Sequence, residues 1–243
     1  GIAGGILCAI GDLFLDLKGK GNRKLGTSGI IDSNWVNMAY WRFGISILFA
    51  FAGAALLGFG FFSLAAQIAD GHRELALATG ICGYVSAIAA FFVHSVLCIQ
   101  AIIYKKIMET DNFPLADDTL EAYYKAVIPP FALGWLFMLA ATVCVITAIV
   151  TGVLTAPKWF VLLNPFVFLL VGVCFRKIKP DWFYDLPGII MPSLGMGMFG
   201  KEQGAHVQIQ CNLDCPRFAS MLARIYAAPD SRAKNLHAEN TLF

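Results

Sequence analysis

The chain has 243 residues and a formal net charge of +2, and its composition is strongly apolar. Apolar residues make up 58% of it and charged residues 14%, whereas a globular protein has about 45–50% and about 25%. Long apolar runs with so few charges exclude a soluble enzyme, a disordered chain and a secreted disulfide scaffold. The near-neutral charge gives no sign of a nucleic-acid partner. The composition predicts an all-α fold, a polytopic transmembrane helix bundle.

Six apolar stretches predict the helices of this bundle. A helix that crosses the hydrocarbon core needs about 20 mostly apolar residues. The stretches that reach or approach this length cover residues 2–17, 43–67, 75–104, 126–154, 159–175 and 184–199. The first has neither a basic flank nor a cleavage site, so we do not expect a signal peptide, and the missing initial methionine indicates residues upstream. Pro187 and Pro192 weaken the sixth stretch, which leaves open whether it fully spans.

The basic residues of the loops predict the orientation, because short cytoplasmic loops carry an excess of Lys and Arg. The first, third and fifth loops carry eleven basic residues, and the second and fourth carry only Arg73 and Lys158. The eleven are Lys18, Lys20, Arg23, Lys24, Arg42, Lys105, Lys106, Lys125, Arg176, Lys177 and Lys179. We therefore expect a multi-pass cell-membrane protein with its odd-numbered loops in the cytoplasm and its N-terminus outside.

The segment after residue 200 differs in composition. Residues 201–243 are polar, nearly balanced in charge and mostly without periodicity, so we expect a poorly ordered tail after a transmembrane domain at 1–200. Cys211 and Cys215 lie one helical turn apart, and the sequence leaves open whether they pair. A metal site in the tail would need His206 and His237 as further ligands. We expect no metal and no cofactor.

Ionisable side chains within the predicted spans are the main indication of function. Such a group at the centre of a span costs from about 2.5 kcal/mol upward, so it normally faces a partner or water. Asp12 and Asp16 share one face of the first helix, Arg42 and Asp185 begin the second and sixth, and His94 lies past the middle of the third. The predicted topology brings all five to one depth near the cytoplasm. The candidate ligand-binding residues are Asp12, Asp16, Arg42, His94, Asn164 and Asp185, with Gln100 and Trp135 as uncharged companions.

Each ionisable residue also has a structural interpretation. Asp16 can simply be solvated at the loop, Arg42 can anchor the cytoplasmic face, and Asp185 can cap its helix. His94 can be a hydrogen-bonded packing residue, and Asp12 can be its structural partner or that of Arg42. The sequence leaves both interpretations open.

Prolines interrupt the predicted spans near these polar groups. Asn164 and Pro165 break the fifth span, and Pro129 and Pro130 lie at the entrance to the fourth. Irregular backbone at membrane depth occurs where it is buried in protein or lines a water-filled cavity. A cavity open to the cytoplasm explains both the prolines and the ionisable groups. Simple kinks, with Asn164 satisfying local backbone groups, explain the prolines alone.

Three functions of different classes fit these observations. The first is a binding protein or carrier, in which a cytoplasm-facing polar cavity holds a small or amphipathic ligand that contacts Asp12 and His94; His94 would serve a proton-coupled version. The second is an intramembrane enzyme that acts on lipids, with the same two residues as acid and base. The third is a structural or assembly protein in which polar groups fix the helix register.

The sequence favours the first function without deciding between the three. The motifs HExxH and GxSxG and a Walker loop are absent, and a Ser-His-Asp arrangement cannot be specified from the sequence. Whether the protein is an enzyme therefore stays open. We expect the bilayer and a small-molecule or lipid ligand as partners, while the oligomeric state is undetermined.

Several short segments carry a resemblance to a known family. They are GDLFLD at 11–16, SNW at 33–35, WRF at 41–43, FFVHS at 91–95, NP at 164–165 and the proline-rich last span. Together they resemble bacterial multi-pass membrane proteins that form a family of unknown function. The resemblance covers residues 1–200 and implies a bacterial inner-membrane location, but no activity. The tail does not take part in it.

Overall fold

The computed structural model describes residues 1–68, 71–178 and 190–199, and these residues form an all-helical fold. The α-helices in these ranges are α1 (Ile2–Asp16), α2 (Tyr40–Ile68), α3 (Arg73–Met108), α4 (Phe113–Val150), α5 (Pro165–Ile178) and α6 (Ile190–Phe199). Asp185 and the tail with Cys211 and Cys215 lie outside the described residues. What the sequence predicts for them stays a prediction.

Three helices are long and apolar enough to cross a membrane: α2 with 29 residues, α3 with 36 and α4 with 38. At 1.5 Å per residue, α2 already extends over about 44 Å, which exceeds the hydrocarbon thickness of about 30 Å. The other helices are shorter, with 15 residues in α1, 14 in α5 and 10 in α6. A full set of six spans therefore stays a prediction.

The fourth helix is longer than the hydropathy pattern indicates. It begins at Phe113 rather than at residue 126, so Pro129 and Pro130 lie inside it and not at its entrance. The side chain of Asn112 caps this helix by accepting a hydrogen bond from the amide of Leu115 at 3.1 Å. After its first turn, α4 carries Asp117, Asp118, Glu121 and Lys125, so this part of the helix gives little apolar signal.

The fifth helix begins later than predicted, at Pro165 instead of residue 159. Lys158–Leu162 form a separate 3-10 turn. The side-chain oxygen of Asn164 accepts hydrogen bonds from the amides of Phe166 and Val167 at 2.9 and 3.1 Å. Asn164 is thus an N-cap, and proline is well tolerated in the first turn that follows it.

Helix α1 packs between α2 and α6 through small residues. A side-chain carbon on Gly4 would lie 2.7 Å from the carbonyl oxygen of Gly53 on α2. On the other face, a carbon on Gly5 would lie 2.8 Å from the Cα atom of Gly197 on α6. Glycine at these positions lets the three backbones approach closely, as in other membrane helix pairs.

The loop between α1 and α2 is folded, which the sequence analysis does not predict. A short antiparallel hairpin pairs β1 (Lys24–Leu25) with β2 (Ile31–Asp32). After the hairpin, Trp35 is buried and packs edge-on against Tyr104 of α3, with ring centroids 6.1 Å apart. The loop therefore adds an apolar layer at one end of the bundle.

Two carboxylates of α4 hold the tip of this hairpin. Asp117 accepts hydrogen bonds from the amide and hydroxyl of Thr27 at 3.1 and 2.9 Å, and Glu121 accepts the equivalent pair from Ser28, both at 2.8 Å. Gly26 has a positive φ of 84°, and a side-chain carbon there would lie 2.5 Å from Asp117 Oδ1. Only glycine suits both the turn and this contact.

The ends of the helices that carry most of the basic residues lie together. Arg42, at the start of α2, donates a hydrogen bond to the carbonyl oxygen of Leu17 after α1, at 2.8 Å. Lys105, near the end of α3, donates to the carbonyl oxygens of Val36 and Met38 at 2.6 and 2.8 Å. We call the end where α1, α3 and α5 finish and α2 and α4 begin the basic end.

Candidate functional site

Asp12 lies at the centre of the contact between helices α1, α2 and α3. Its side chain is 2% exposed. The neighbouring Gly11 brings α1 close to α2, because a carbon on Gly11 would lie 2.9 Å from the carbonyl oxygen of Ser46. This close approach puts the carboxyl group of Asp12 within reach of α3.

His94 on α3 is the partner of Asp12. Its Nδ1 atom lies 2.5 Å from Asp12 Oδ1, and its side chain is 2% exposed. The other ring nitrogen, Nε2, lies 2.8 Å from the hydroxyl oxygen of Ser46 on α2. The sulfur of Cys98, one turn further along α3, lies 3.6 Å from the same nitrogen. Both ring nitrogens are therefore used inside the bundle.

The hydrogen-bond pattern indicates the protonation of this pair. Ser46 lies 2.6 Å from the carbonyl oxygen of Gly11, which can only accept, so the hydroxyl donates there. The Ser46 oxygen then accepts from His94 Nε2, which must carry a proton. A second proton lies in the short contact between His94 and Asp12. The pair is net neutral, either as carboxylate and imidazolium or as carboxylic acid and imidazole.

One oxygen of the Asp12 carboxyl group has no partner. Oδ2 is buried and makes no hydrogen bond within the described residues, although the side chain of Ser193 on α6 faces the same carboxyl group. A buried carboxyl oxygen normally accepts hydrogen bonds, and leaving it unpaired costs about 1–3 kcal/mol or more. This oxygen is the polar atom of the site that is available to a proton, a water or a ligand.

A cluster of charged residues lies one turn further toward the basic end. The ammonium group of Lys18 lies 2.6 Å from Asp32 and 3.8 Å from Asp16. Lys24 also contacts Asp32, at 3.0 Å, and Asn22 donates to it at 2.6 Å. Asp32 is only 1% exposed, so these charges are held in a fixed arrangement rather than on a mobile surface.

A cavity of about 410 Å³ lies beside this cluster and is called the outer cavity. Its polar lining comes from the basic end and consists of Asp16, Lys18, Lys24, Asp32, Gln100, Tyr123 and Arg176. Its apolar lining consists of Leu15, Ile30, Trp35, Val93, Leu97, Tyr124, Val127, Ile128, Phe131, Trp135 and Leu169. The charged groups of the outer cavity thus all lie at the basic end, whereas the lining further into the bundle is mostly apolar.

A smaller space of about 70 Å³, called the inner chamber, lies between α2, α3, α4 and α6. Its lining includes Ser86 and Ser193 as polar residues. Val93, Phe131 and Trp135 line both the inner chamber and the outer cavity. These three side chains lie where the two spaces meet, and we call them the partition.

The order Asp12, His94, Ser46 matches the hydrogen-bond order of a catalytic triad. A nucleophilic serine must reach its substrate, but Ser46 is 0% exposed and lines neither the outer cavity nor the inner chamber. The Ser46 hydroxyl donates its hydrogen bond to the carbonyl oxygen of Gly11 and not to His94. The arrangement is better suited to holding a proton than to acyl transfer.

The predicted site residues fall into two groups. The structure brings Asp12 and His94 together, with Asp16 one turn away in the charged cluster. Arg42 binds the end of α1 instead of either aspartate, and Asn164 uses its side chain to cap α5. Asp185 lies outside the described residues.

The uncharged companions lie at the outer cavity. Gln100 is 2% exposed and donates to the carbonyl oxygen of Ile30 at 3.2 Å. Trp135 packs edge-on against Phe131, with ring centroids 6.1 Å apart, and faces Phe166 of α5 at 6.3 Å. Both contribute to the walls of the outer cavity.

Sequence reasoning missed Ser46, Ser193 and Asp32. A serine within an apolar stretch is inexpensive and common in membrane helices, so it gives little signal. Asp32 lies in a loop, where a carboxylate is expected to be solvated. Gly26 and Gly29, between Leu25 and the pair Ile30–Ile31, are turn residues of the kind that indicate a hairpin. They are the signal that could have placed Asp32 at the bundle.

Within the described residues, no group of three or more His, Cys, Asp and Glu side chains is placed to hold a metal ion. The functional groups of the described site are therefore ionisable side chains and hydroxyls.

The comparisons with known proteins give a family. Neither the curated proteins nor the solved structures include a match to this chain. The model of a family of unknown function, DUF6796, matches residues 1–201. These residues contain every described helix and the whole of the Asp12–His94 site. The chain belongs to the family DUF6796.

Proposed function

We propose that this protein is an integral membrane protein whose outer cavity faces the cytoplasm and binds or carries a small amphipathic ligand. The long apolar helices and the membership in a family of unknown function fit an integral membrane protein. The observation that carries the ligand proposal is the two-sided lining of the outer cavity, with charged residues at the basic end and apolar residues further in.

The size of the outer cavity supports this function. Its volume of about 410 Å³ falls within the range of about 300–1,000 Å³ that is usual for small-molecule sites. Leu97, Val127 and Phe131 offer an apolar surface, and Gln100 and Tyr123 offer polar groups near the charged cluster. A ligand with a short apolar part and a polar head matches this distribution.

The charged cluster supports a polar head group that carries charge. Lys18 and Lys24 present ammonium groups, while Asp16 and Asp32 present carboxylates, all in the lining of the outer cavity. Charges of both signs are already fixed there in ion pairs. An anionic or zwitterionic head group can therefore take the place of an existing partner and is not buried without one.

The orientation is part of the same proposal. The basic residues favour a cytoplasmic location of the basic end, which would open the outer cavity toward the cytoplasm or the inner leaflet. The proposal also includes six membrane spans, an N-terminus outside the cell and a location in a bacterial inner membrane. The support for these is the eleven-to-two distribution of basic residues and the resemblance of residues 1–200.

The two alternatives have less support. An enzyme that uses Asp12 and His94 as acid and base needs both to reach a substrate, but each is 2% exposed and neither lines the outer cavity. A structural role explains the hydrogen bonds of His94, but not a cavity with charged and apolar sides.

Ligand binding can be tested by thermal unfolding of the purified protein in a neutral detergent. We expect the single-chain lipids lysophosphatidylglycerol or lysophosphatidylcholine to stabilise the protein, since a ligand at 100 times its Kd contributes about 2.7 kcal/mol. Monoacylglycerol, which lacks a charged head, should stabilise it less. These three probes distinguish a requirement for the charged head from simple apolar binding.

The matched variants are Leu97→Trp and Ile99→Trp on α3. Leu97 lines the outer cavity, so a larger side chain there should remove the stabilisation. Ile99 is 42% exposed on the outside of the bundle, so its variant should keep the stabilisation. Equal stabilisation of both variants, or no effect of any of the three lipids on the wild type, would contradict the proposal.

A further inference from the structure

The Asp12–His94 pair has the features of a site that takes up and releases a proton. In the described arrangement the pair holds two protons and is net neutral, because Ser46 donates to Gly11 and accepts from His94. Loss of one proton leaves a carboxylate and a neutral imidazole with its proton on Nδ1. The Ser46 hydroxyl can then turn from Gly11 to His94 Nε2. Only one hydroxyl needs to turn, so both ring nitrogens of His94 keep a hydrogen-bond partner in either state.

The unpaired oxygen of Asp12 gives the proton an exit. Within the described residues, Oδ2 is buried without a hydrogen bond, and Ser193, which faces this carboxyl group, lines the inner chamber. A water molecule needs about 10–15 Å³ of such space, so the inner chamber of about 70 Å³ has room for a few. The hydroxyls of Ser86 and Ser193 offer them polar contacts.

The partition separates this chamber from the outer cavity. Phe131 and Trp135 lie one turn apart on α4 and line both spaces, and Val93 directly precedes His94 on α3. Pro129 and Pro130 come immediately before Phe131. Proline removes a helical hydrogen bond and allows the helix to bend at that point, so the aromatic part of the partition sits next to a natural hinge.

Among the described residues, the other titratable groups that face the pair are thiols. They are Cys8, one turn before Asp12 on α1, and Cys98 on α3. From α2 and α6 the facing polar groups are the hydroxyls of Ser46 and Ser193. The nearest charged residue along α1 is Asp16, in the charged cluster of the basic end.

We propose that Asp12 and His94 form a proton-binding site that exchanges its proton with the outer cavity through the inner chamber, with Val93, Phe131 and Trp135 as the gate. The released proton goes to water in the inner chamber, and the site changes from neutral to one negative charge. This inference rests on the proposed function, because water must enter the outer cavity first. Through this site, ligand binding in the outer cavity can be coupled to proton transfer.

The proton site can be tested without any ligand by infrared difference spectroscopy on proteoliposomes. We expect a single pH-dependent signal in which the carboxyl and imidazole bands change together, because the two groups share the exchanged proton. Asp12→Asn should lose it, and Asp16→Asn, the matched control one turn away, should keep it. If Asp12→Asn does not fold, Ser193→Ala is the second variant. It leaves the Asp12–His94 contact in place and should shift the pH at which the signal changes. A wild type without the signal, or an unchanged signal in Asp12→Asn and in Ser193→Ala, would overturn the proton site.

The route can be tested by the reaction of introduced cysteines with a charged methanethiosulfonate in nanodiscs, where both faces are accessible. Leu97→Cys in the outer cavity should react readily, and Ser86→Cys in the inner chamber should react slowly. Adding Trp135→Ala should speed the Ser86→Cys reaction severalfold. An unreactive Leu97→Cys would overturn the proposed open cavity itself. A fast Ser86→Cys with Trp135 present, or one that stays slow without it, would overturn the gate and leave the cavity standing.

Discussion

The two ring nitrogens of His94 connect three helices. Nδ1 contacts Asp12 of α1, and Nε2 contacts Ser46 of α2. Hydrogen bonds between membrane helices contribute modestly, about 0.6 kcal/mol on average in measured cases. Removing one partner costs more than that average, because the other group is left buried and unpaired.

Replacement of Ser46 by alanine should therefore destabilise the protein. We expect a loss of about 1–3 kcal/mol in the free energy of unfolding, since Nε2 of His94 loses its hydroxyl partner in a buried site and keeps the weaker contact with the Cys98 sulfur. Ser95→Ala is the matched control, because Ser95 is half-buried and its hydroxyl donates to the carbonyl oxygen of Phe91 in its own helix. Denaturant unfolding of both variants in one detergent gives the comparison. Equal stability of the two variants would show that Ser46 does not support His94.

At the residue scale, the sequence identifies side chains that are energetically costly to bury in an apolar helix, but it does not identify their partners. Asp12 and His94 could be identified because an ionisable group in an apolar helix has to be compensated. Their pairing depends on how α1 and α3 pack, which the spacing along the chain does not determine. Arg42 was expected to face one of the aspartates, but the free carbonyl groups at the end of α1 offer it a nearer acceptor, Leu17.

At the scale of elements, the contact between α1 and α6 positions Ser193 near Asp12. Gly5 and Gly197 allow the two backbones to approach. Since lipid is as apolar as the helix surface, such close contacts and their dispersion energy hold membrane helices together.

Gly5→Ala should weaken this contact. The added carbon would lie 2.7 Å from the carbonyl oxygen of Ser193 and 2.8 Å from the Cα atom of Gly197, so backbone has to move. We expect a loss of about 1–3 kcal/mol, the usual range for overpacking. Gly44→Ala on α2 is the control, because nothing lies within 4 Å of that added carbon. A Gly5→Ala variant as stable as Gly44→Ala, measured by thermal unfolding, would refute the close contact.

The helix positions were predictable where apolar runs coincide with helices. Residues 43–67 and 75–104 lie within α2 and α3 as the structure has them. The start of α4 was missed because Asp117, Asp118 and Glu121 follow the first turn that Asn112 caps, which interrupts the apolar pattern. The hairpin was missed because its stability comes from Asp117 and Glu121, about 90 residues away along the chain. Long-range contacts of this kind leave no periodic signal in the sequence.

At the scale of the whole molecule, charge is distributed unevenly between the two ends. The basic end carries the charged cluster, the hairpin and the polar lining of the outer cavity. The loops at the other end contain Arg73 and Lys158 as their basic residues. Positively charged short loops are retained in the cytoplasm during insertion, so this asymmetry predicts which side the outer cavity serves.

Two threonines allow a direct test of this orientation. Thr110 lies in the loop after α3 at the basic end, and Thr151 follows α4 at the other end; both are exposed and bond to carbonyls of their own helix. With a membrane-impermeant maleimide, Thr110→Cys should be labelled only in inside-out vesicles and Thr151→Cys only in intact cells. Peptide mass spectrometry separates these adducts from those of the native cysteines. The reverse pattern would place the outer cavity outside the cell and its ligand in the external medium, whereas labelling of both cysteines from one side would show that α4 does not cross the membrane.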